Sequence, residues 1–407
     1  MTRILRLSGA ILLWFLIAGL LAVVIVPRFL DRRYYDGPAT GHFDGERFFN
    51  PDGEDTIRLP SGGGRGGFLW NQATGSRGRP AWPAQVAVTP TRPAPRVESD
   101  AMVATWVGHA TVLIQTAGLN ILTDPVWSER AGPFGFGPKR VAPPGIALVD
   151  LPRIDVIVVS HNHYDHMDLA TLKRLWGRDR PLIVTAPGND AILRDNGIAT
   201  NAGGKPDWGQ SVAIDDRACL NRPQVSTGCP ERGRVYLTRN HHWSSRWFTD
   251  RDRALWSSFV ITLPGGNIFF AGDTGFGDGR WPGEAAALGP IRLAILPIGA
   301  FRFTPGQMGT GSHIGPLDAV EVYRRLGAQT AIPIHWGTFR LSYEAYDTPP
   351  RLLAAAMRCT GQRGFAPVAI GVPFAVPPLG NGQASAPPME RNALLRCLDT
   401  PAVRSLR

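Results

Sequence analysis

The sequence predicts an α/β domain built in layers, carried behind an apolar N-terminal segment. Three observations point there. Short apolar runs rich in Val, Ile, Thr and Phe recur from about Ala101 onward, separated by Gly/Asp/Pro turns. Amphipathic stretches with helix start and stop signals fall between several of these runs. The length of 407 residues, 43% hydrophobic and 19% charged, is enough to bury one large core or two ordinary ones.

The first element is the apolar run Leu7 to Val26, 20 residues without a charge. At about 1.5 Å per residue such a helix matches a hydrocarbon core of roughly 30 Å. Arg3 and Arg6 precede it and Arg28, Arg32 and Arg33 follow, so the flanking charges barely choose an orientation. The competing reading is a cleaved signal peptide, whose apolar region is usually about 7–15 residues and ends in small residues. The expectation is an uncleaved single-pass membrane anchor over residues 1–33.

Residues 34–100 form a Gly/Pro/Arg-rich linker, with SGGGRGG at 61–67 and PTRPAPR at 90–96 as connectors. Within it, HFDGERFFNP at 42–51 carries enough aromatic residues to pack as an arm on the domain. The domain itself is expected over 101–376. Its strands are read in ATWVGHATVLIQTAGLNILTDP, IDVIVVS, PLIVTAP, RVYLTRN, SSFVITLPGGNIFFAGD, LAILPIGA and TAIPI. Gly118–Asn120 and Pro264–Asn267 are read as hairpin turns. Helices are expected in MDLATLKRLW, with Asp168 as N-cap, in PLDAVEVYRRLG at 316–327 and in PPRLLAAAMRC at 349–359. Residues 377–407 read as a loop-like tail with a short helix at MERNALLRCL.

The net charge is +10, nearly all of it from Arg, since Lys139, Lys173 and Lys205 are the only lysines. That balance favours anionic partners such as lipid head groups, phosphorylated substrates or nucleic acid. No stretch that interleaves aromatic and basic residues supports specific nucleic-acid binding. Of the four cysteines, Cys219 and Cys229 bracket a loop-like stretch, and Cys359 and Cys397 make a second candidate pair; three pairings are possible. No CxxC spacing supports a cysteine-only zinc site.

The strongest signal is His161-Asn162-His163-Tyr164-Asp165-His166, directly after an apolar strand. In extended backbone His161 and His163 project to one side, and the turn that follows lets Asp165 and His166 face the same cavity. Neutral imidazole and carboxylate suit zinc and similar divalent ions. Single polar residues end other apolar strands: His242 after RVYLTRN, Asp273 after NIFFAG and His335 after TAIPI. His241 and His242 alternate across a strand, so one of them, His242, is expected at a metal.

In this order the motifs HxHxDH, the lone His, the Asp of AGDTG and the His of IHWGTF resemble the metallo-β-lactamase superfamily. The stretches WVGHATVLIQTAGLNILTDPVWSERAGPFGFGPKR, SHNHYDHMD, HHWSSR, FFAGDTGF, PIGAF and IHWGTFRL are similar to the family of N-acyl-phosphatidylethanolamine-hydrolysing phospholipases D and its bacterial relatives, over roughly residues 101 to 345. The resemblance implies an αββα four-layer sandwich and two divalent metal ions, with Zn2+ the expected identity. It implies that His161, His163 and His242 hold one ion, that Asp165, His166 and His335 hold the other, and that Asp273 bridges them. His109 and Asp124 would support the ligands from outside. Asp165 and Asp273 would also take part in catalysis, with a hydroxide between the metals as nucleophile. His313 stands where relatives place a leaving-group acid. Here, however, it is followed by Ile-Gly-Pro, not by an Asp-Pro pair, which leaves its role open. Departures at LPGGN and at 216–234 bear on substrate choice.

The expected function is therefore phosphodiester hydrolysis, with N-acyl-phosphatidylethanolamine-like lipids as the substrate the resemblance implies. Hydrolysis of a carboxylic ester, lactone or β-lactam on the same dimetal site is the alternative, because one scaffold hosts many chemistries. The apolar positions Val126, Trp127, Phe134 and Phe136 are candidates for an acyl groove or an interfacial loop. The expected location is the bacterial inner membrane, with the catalytic domain on the periplasmic side.

Overall fold

Alternation along the strands sorts the interior into three cores. In Val156–Val159, Val156 and Val158 join one core while Ile157 and Val159 join another; in Asn267–Phe270, Ile268 and Phe270 join the first and Phe269 a third. A period of two on a sheet buried on both faces produces this division. The computed structural model describes the chain apart from residues 1, 31, 54–79, 201–203, 216–229, 248, 304–306, 381–386 and 407, and apart from the side chains of 2–5, 23–24 and 26–30.

Among the described residues there are two six-stranded sheets. The first is ordered β12 (Pro373–Val376), β1 (Met102–Gly108), β2 (Thr111–Thr116), β3 (Leu119–Thr123), β4 (Val156–Val159), β5 (Leu182–Thr185). The second is ordered β11 (Thr330–Ile334), β10 (Ile291–Pro297), β9 (Asn267–Phe270), β8 (Ser258–Thr262), β7 (Glu231–Thr238), β6 (Ser211–Asp215). Both are mixed. β3, β4 and β5 run parallel, as do β9, β10 and β11, while the other pairs are antiparallel. The expected turns close two of the antiparallel pairs, β2–β3 and β8–β9. At the first, Ala117 and Gly118 both take positive φ, as a tight hairpin demands.

The first core lies between the sheets, where Trp106, Val112 and Ile114 meet Val235, Phe259, Phe270 and Ile295. Outside the first sheet, Leu172 and Leu175 of helix α2 (Leu169–Asp179) pack on Leu113, Leu122 and Ile157. Asp168 caps that helix as expected, accepting from the N–H groups of Ala170 and Thr171. Short α3 (Asn189–Asp195) lies on the same side. Outside the second sheet sit α4 (Trp281–Ala286), α5 (Pro316–Leu326) and α6 (Thr348–Thr360). The layers are thus helix, sheet, sheet, helix.

The tail is less loop-like than its composition suggested. It forms α7 (Arg391–Cys397) and α8 (Pro401–Arg404), which bury Leu394, Leu398, Val403 and Leu406 against the third core. A Cys359–Cys397 disulfide ties α7 to α6. Cys219, Cys229 and SGGGRGG lie outside the described residues. In the arm, Phe43 and Phe48 are buried in the inter-sheet core, so its aromatic residues do pack on the domain.

The expected membrane span is not supported. Helix α1 (Thr2–Leu30) forms, but among the described residues no helix is long and apolar enough to cross a membrane. The side chains of Leu12, Trp14, Phe15 and Leu20 are exposed.

Candidate metal centre

Each expected ligand sits just beyond the C-terminal end of a strand. His161 follows β4, His242 follows β7, Asp273 follows β9 and His335 follows β11. This is the rim where α/β layers collect ligands from distant sequence. Two clusters form there. His161, His163, His242 and Asp273 bring one ligand atom each to within 4.8 Å of one another, and so do His109, Asp165, His166 and His335.

Asp273 Oδ2 is the point the clusters share. It lies 3.1 Å from His166 Nε2, 3.0 Å from His335 Nε2 and 4.0 Å from His242 Nε2. Asp165 Oδ2 is 3.6 Å from both His166 Nε2 and His335 Nε2. In the other cluster His161 Nε2 faces His163 Nδ1 at 2.8 Å. His313 also reaches the site, with Nδ1 3.8 Å from Asp273 Oδ2 and its ring stacked on that of His335.

The Nδ1 atoms of His166, His161 and His242 are held from outside. Asp124, fully buried, takes His166 Nδ1 on Oδ2 at 2.6 Å. Its carboxylate also accepts from the backbone and hydroxyl of Ser160, whose Oγ contacts His161 Nδ1 at 2.9 Å. One carboxylate therefore orients a ligand of each cluster, a device that fixes tautomer and ring direction. His242 Nδ1 faces the Ser312 carbonyl at 2.9 Å. His109 Nε2 lies 3.0 Å from Asp165 Oδ2, so His109 touches the second cluster as a partner of Asp165. Local backbone strain marks the same place: His109, Asp124 and His335 all have positive φ, which non-glycine residues sustain only where the surroundings demand it.

The donor set fits divalent metals. His166 Nε2, His242 Nε2, His335 Nε2 and Asp273 Oδ1 are buried and make no hydrogen bond. Buried polar atoms without partners are costly, and a cation answers that cost for several at once. Burial pushes His163 and His109 down to about 3 and holds His161 and His242 well below the ordinary value, which favours neutral imidazoles with free lone pairs. Burial opposes charge on His335 too, yet Asp273 and Asp165 push it up to about 9; the same carboxylates and Asp124 hold His166 well above its ordinary value. Asp165 and Asp273 stay well below the usual carboxylate range despite burial, because these histidines face them. The positive charge that these carboxylates favour at His166 and His335 is the charge that bound divalent ions would supply.

Residues 119–336 match the family model described as Beta-lactamase superfamily domain. The chain belongs to the metallo-β-lactamase superfamily. An uncharacterized protein of Mycobacterium tuberculosis is 34% identical over 329 residues, 79% of each chain. N-acyl-phosphatidylethanolamine-hydrolyzing phospholipase D 1 of Caenorhabditis elegans is 36% identical over 253 residues, covering 61% of this chain and 67% of that one. Among solved structures, a possible metal-dependent hydrolase from Veillonella parvula superposes with a TM-score of 0.50 at 13% identity, over 67% of this chain and 99% of that one; this likeness concerns the fold alone. Superfamily membership and the two His/Asp clusters make the chain a metal-dependent hydrolase.

Not every residue the sequence brought forward lies in the superfamily site. His241 turns away and pairs through Nδ1 with Asp52 at 2.9 Å, although both histidines lie beyond the end of β7 at Thr238, so strand alternation is not what parts them. Val126 is buried, and Trp127 donates from Nε1 to the Ile146 carbonyl, so both are packing residues, not acyl contacts. Phe134 and Phe136 do stand out, 83% and 72% exposed, with Phe134 against Trp247. Sequence reasoning overlooked Arg246, whose guanidinium donates to the carbonyls of Asn162 and Met167 and so clips both ends of the ligand loop. Its signal was present in HHWSSR. It also overlooked Ser160 and Asn50, for which the sequence carries no such signal.

Proposed function

We propose that the chain is a dinuclear phosphodiesterase of phospholipase D type, acting on N-acyl-phosphatidylethanolamine-like lipids. The observation that carries the reading is the convergence of both clusters on Asp273 Oδ2. The lipid class rests on the similarity to the Caenorhabditis elegans enzyme. Bound divalent ions, with zinc the expected pair, supply Lewis acidity, lowering the pKa of a water and offsetting charge that builds on the phosphoryl oxygens.

The chain's own residues do the rest. His161, His163 and His242 are assigned to one ion, and Asp165, His166 and His335 to the other. Asp273 would serve both, and Asp124 and His109 would hold the ligands in register. The reaction adds water to phosphorus and breaks the bond to the head-group alcohol, so a proton must reach the departing oxygen. His313 lies within reach. Burial holds it at about 4, so it enters neutral near pH 7. In this scheme the proton it delivers is one accepted from the attacking water in the same cycle.

The location belongs to the same proposal: association with the bacterial inner membrane through α1, with the catalytic domain on the periplasmic side. The Cys359–Cys397 bridge supports an oxidising compartment, and the exposed apolar side chains of α1 support contact with lipid. The test is a substrate panel on metal-loaded protein: N-acyl-phosphatidylethanolamine vesicles, bis-p-nitrophenyl phosphate, a lactone and a chromogenic β-lactam. Release of phosphatidic acid and N-acylethanolamine is expected. Turnover confined to the lactone or the β-lactam would sink the phosphodiester reading.

A further inference from the structure

We propose that Asn50, in the N-terminal arm, is a positioning residue for the metal ligand His242, so that the arm completes the metal centre from outside the hydrolase domain. The proposal rests on the assignment of His242 as a ligand. Strand β7 ends at Thr238, so the ladder that orders its backbone has stopped before His242. The side-chain amide of Asn50 takes over that role. Its Oδ1 accepts from the His242 N–H at 3.2 Å and its Nδ2 donates to the His242 carbonyl at 2.8 Å. A primary amide presents one acceptor and two donors, so it pairs with both polar groups of one residue much as a neighbouring strand would.

Asn50 is itself held. Trp256 donates from Nε1 to the same Oδ1 at 3.1 Å, and the arm is docked through buried Phe43 and Phe48 and the Phe48 N–H to Asp252 carbonyl bond. Two residues on, Asp52 fastens the arm to the other side of the centre. Its Oδ1 pairs with His241 and its Oδ2 accepts from the Asp278 N–H at 2.8 Å, in the loop that follows Asp273. Gly277 keeps that approach open: a Cβ there would collide with Asp52 and the His241 ring. The arm therefore bridges the segment of one ligand and the loop of the shared carboxylate. With Ser312 directing the His242 ring and Asn50 holding its backbone, Nε2 is left with one direction in which to point.

The experiment compares full-length wild type with Asn50→Ala, Asn50→Asp and Phe43→Leu, each loaded with zinc or cobalt(II). Affinity is read by chelator competition and ligand field by the visible cobalt spectrum. For Asn50→Ala, one of the two equivalents should weaken by about 10- to 100-fold, with a shifted cobalt spectrum. Asn50→Asp retains the acceptor for the His242 N–H but sets an oxygen against the His242 carbonyl, so it should weaken the same equivalent and shift the spectrum as well. Phe43→Leu loosens arm packing without touching His242, so it should lose thermal stability while keeping both equivalents and the spectrum. Two tight equivalents and an unchanged spectrum in Asn50→Ala would overturn the proposal, as would the same metal loss in Phe43→Leu. Fewer than two equivalents in wild type would overturn the dinuclear reading before any substitution is made, and the role of Asn50 with it.

Discussion

Asp124 Oδ2 lies 2.6 Å from His166 Nδ1, and both side chains are fully buried. The same carboxylate accepts from Ser160, which reaches His161. A buried anion that orients ligands in both clusters does more than fill space. Removing its charge weakens the basicity of the imidazole it faces and frees the ring to rotate. Asp124→Asn should therefore weaken metal binding by about 10- to 100-fold while the domain still folds. Zinc competition titration beside a thermal melt separates the two effects.

Metal content gives the next prediction. The wild-type protein should bind about two equivalents of zinc or a similar divalent ion. Asp273→Ala removes the atom both clusters share and should abolish turnover. His242→Ala should also cripple activity, whereas His241→Ala should retain it with a loss of stability, because it strips Asp52 of a buried partner. Elemental analysis and steady-state rates test the set; the opposite ranking of the two histidines would refute the assignment of His242 as the ligand.

The attachment of the arm should depend on pH in a defined sense. Burial raises the Asp52 pKa, but the Asp278 N–H and His241 outweigh burial and set it below its ordinary value. A group with a depressed folded pKa stabilises the fold above its unfolded value and loses that contribution as pH falls through the folded value. Asp52→Asn should therefore cost about 1–2 kcal/mol near neutrality. The difference from wild type should shrink once pH drops below roughly 3.9, the ordinary Asp value. Denaturant titrations of both proteins across that range measure it.

How legible these features were depended on whether partners lay close in sequence. The HxHxDH cluster stands contiguous behind an apolar strand, and Asp168 caps a helix that begins at the next residue, so local pattern sufficed for both. Asn50 acts on a residue 192 positions away, and a lone Asn in a Gly/Pro-rich segment carries no local mark. Strand β12 went unread because its four residues, PFAV, begin with Pro and show no apolar–polar alternation, and α8 is only four residues long, too short for a helical period. Val126 misled for the opposite reason. Its apolar character was read as a surface for lipid, whereas tertiary packing had taken it into the core.

The disulfide should matter to the tail and not to the chemistry. Cys359 and Cys397 close a loop across 38 positions and pin α7, which buries few large side chains of its own. Replacing both with Ala should cost about 2–4 kcal/mol and leave the rate on a soluble diester unchanged at room temperature. Non-reducing peptide mapping of protein isolated from its native cells should find the bridge formed; a free Cys359 thiol there would argue against a periplasmic location.

The exposed phenylalanines lead to the last prediction. Phe134 touches Trp247, which belongs to the same short segment as Arg246 and Asp250. Tyr34, shortly after α1, bonds Asp250 at 3.0 Å, and Arg246 clips the metal-ligand loop. The residue Tyr34 that follows α1, the aromatic tip and the ligand loop are thus linked through one segment. An exposed aromatic tip suits an enzyme that meets its substrate at a lipid surface, where amphipathic and aromatic groups enter the head-group boundary. Phe134→Ser with Phe136→Ser removes that contact without disturbing a core, because both rings are largely in solvent. The double variant should hydrolyse bis-p-nitrophenyl phosphate at the wild-type rate. Its turnover of N-acyl-phosphatidylethanolamine in vesicles should fall, and deleting residues 1–33 should lower it further at unchanged soluble activity. Vesicle sedimentation read beside the rates shows whether the loss follows binding. Equal vesicle turnover by all three proteins would detach both the tip and α1 from substrate capture and leave the lipid reading to the sequence similarity alone.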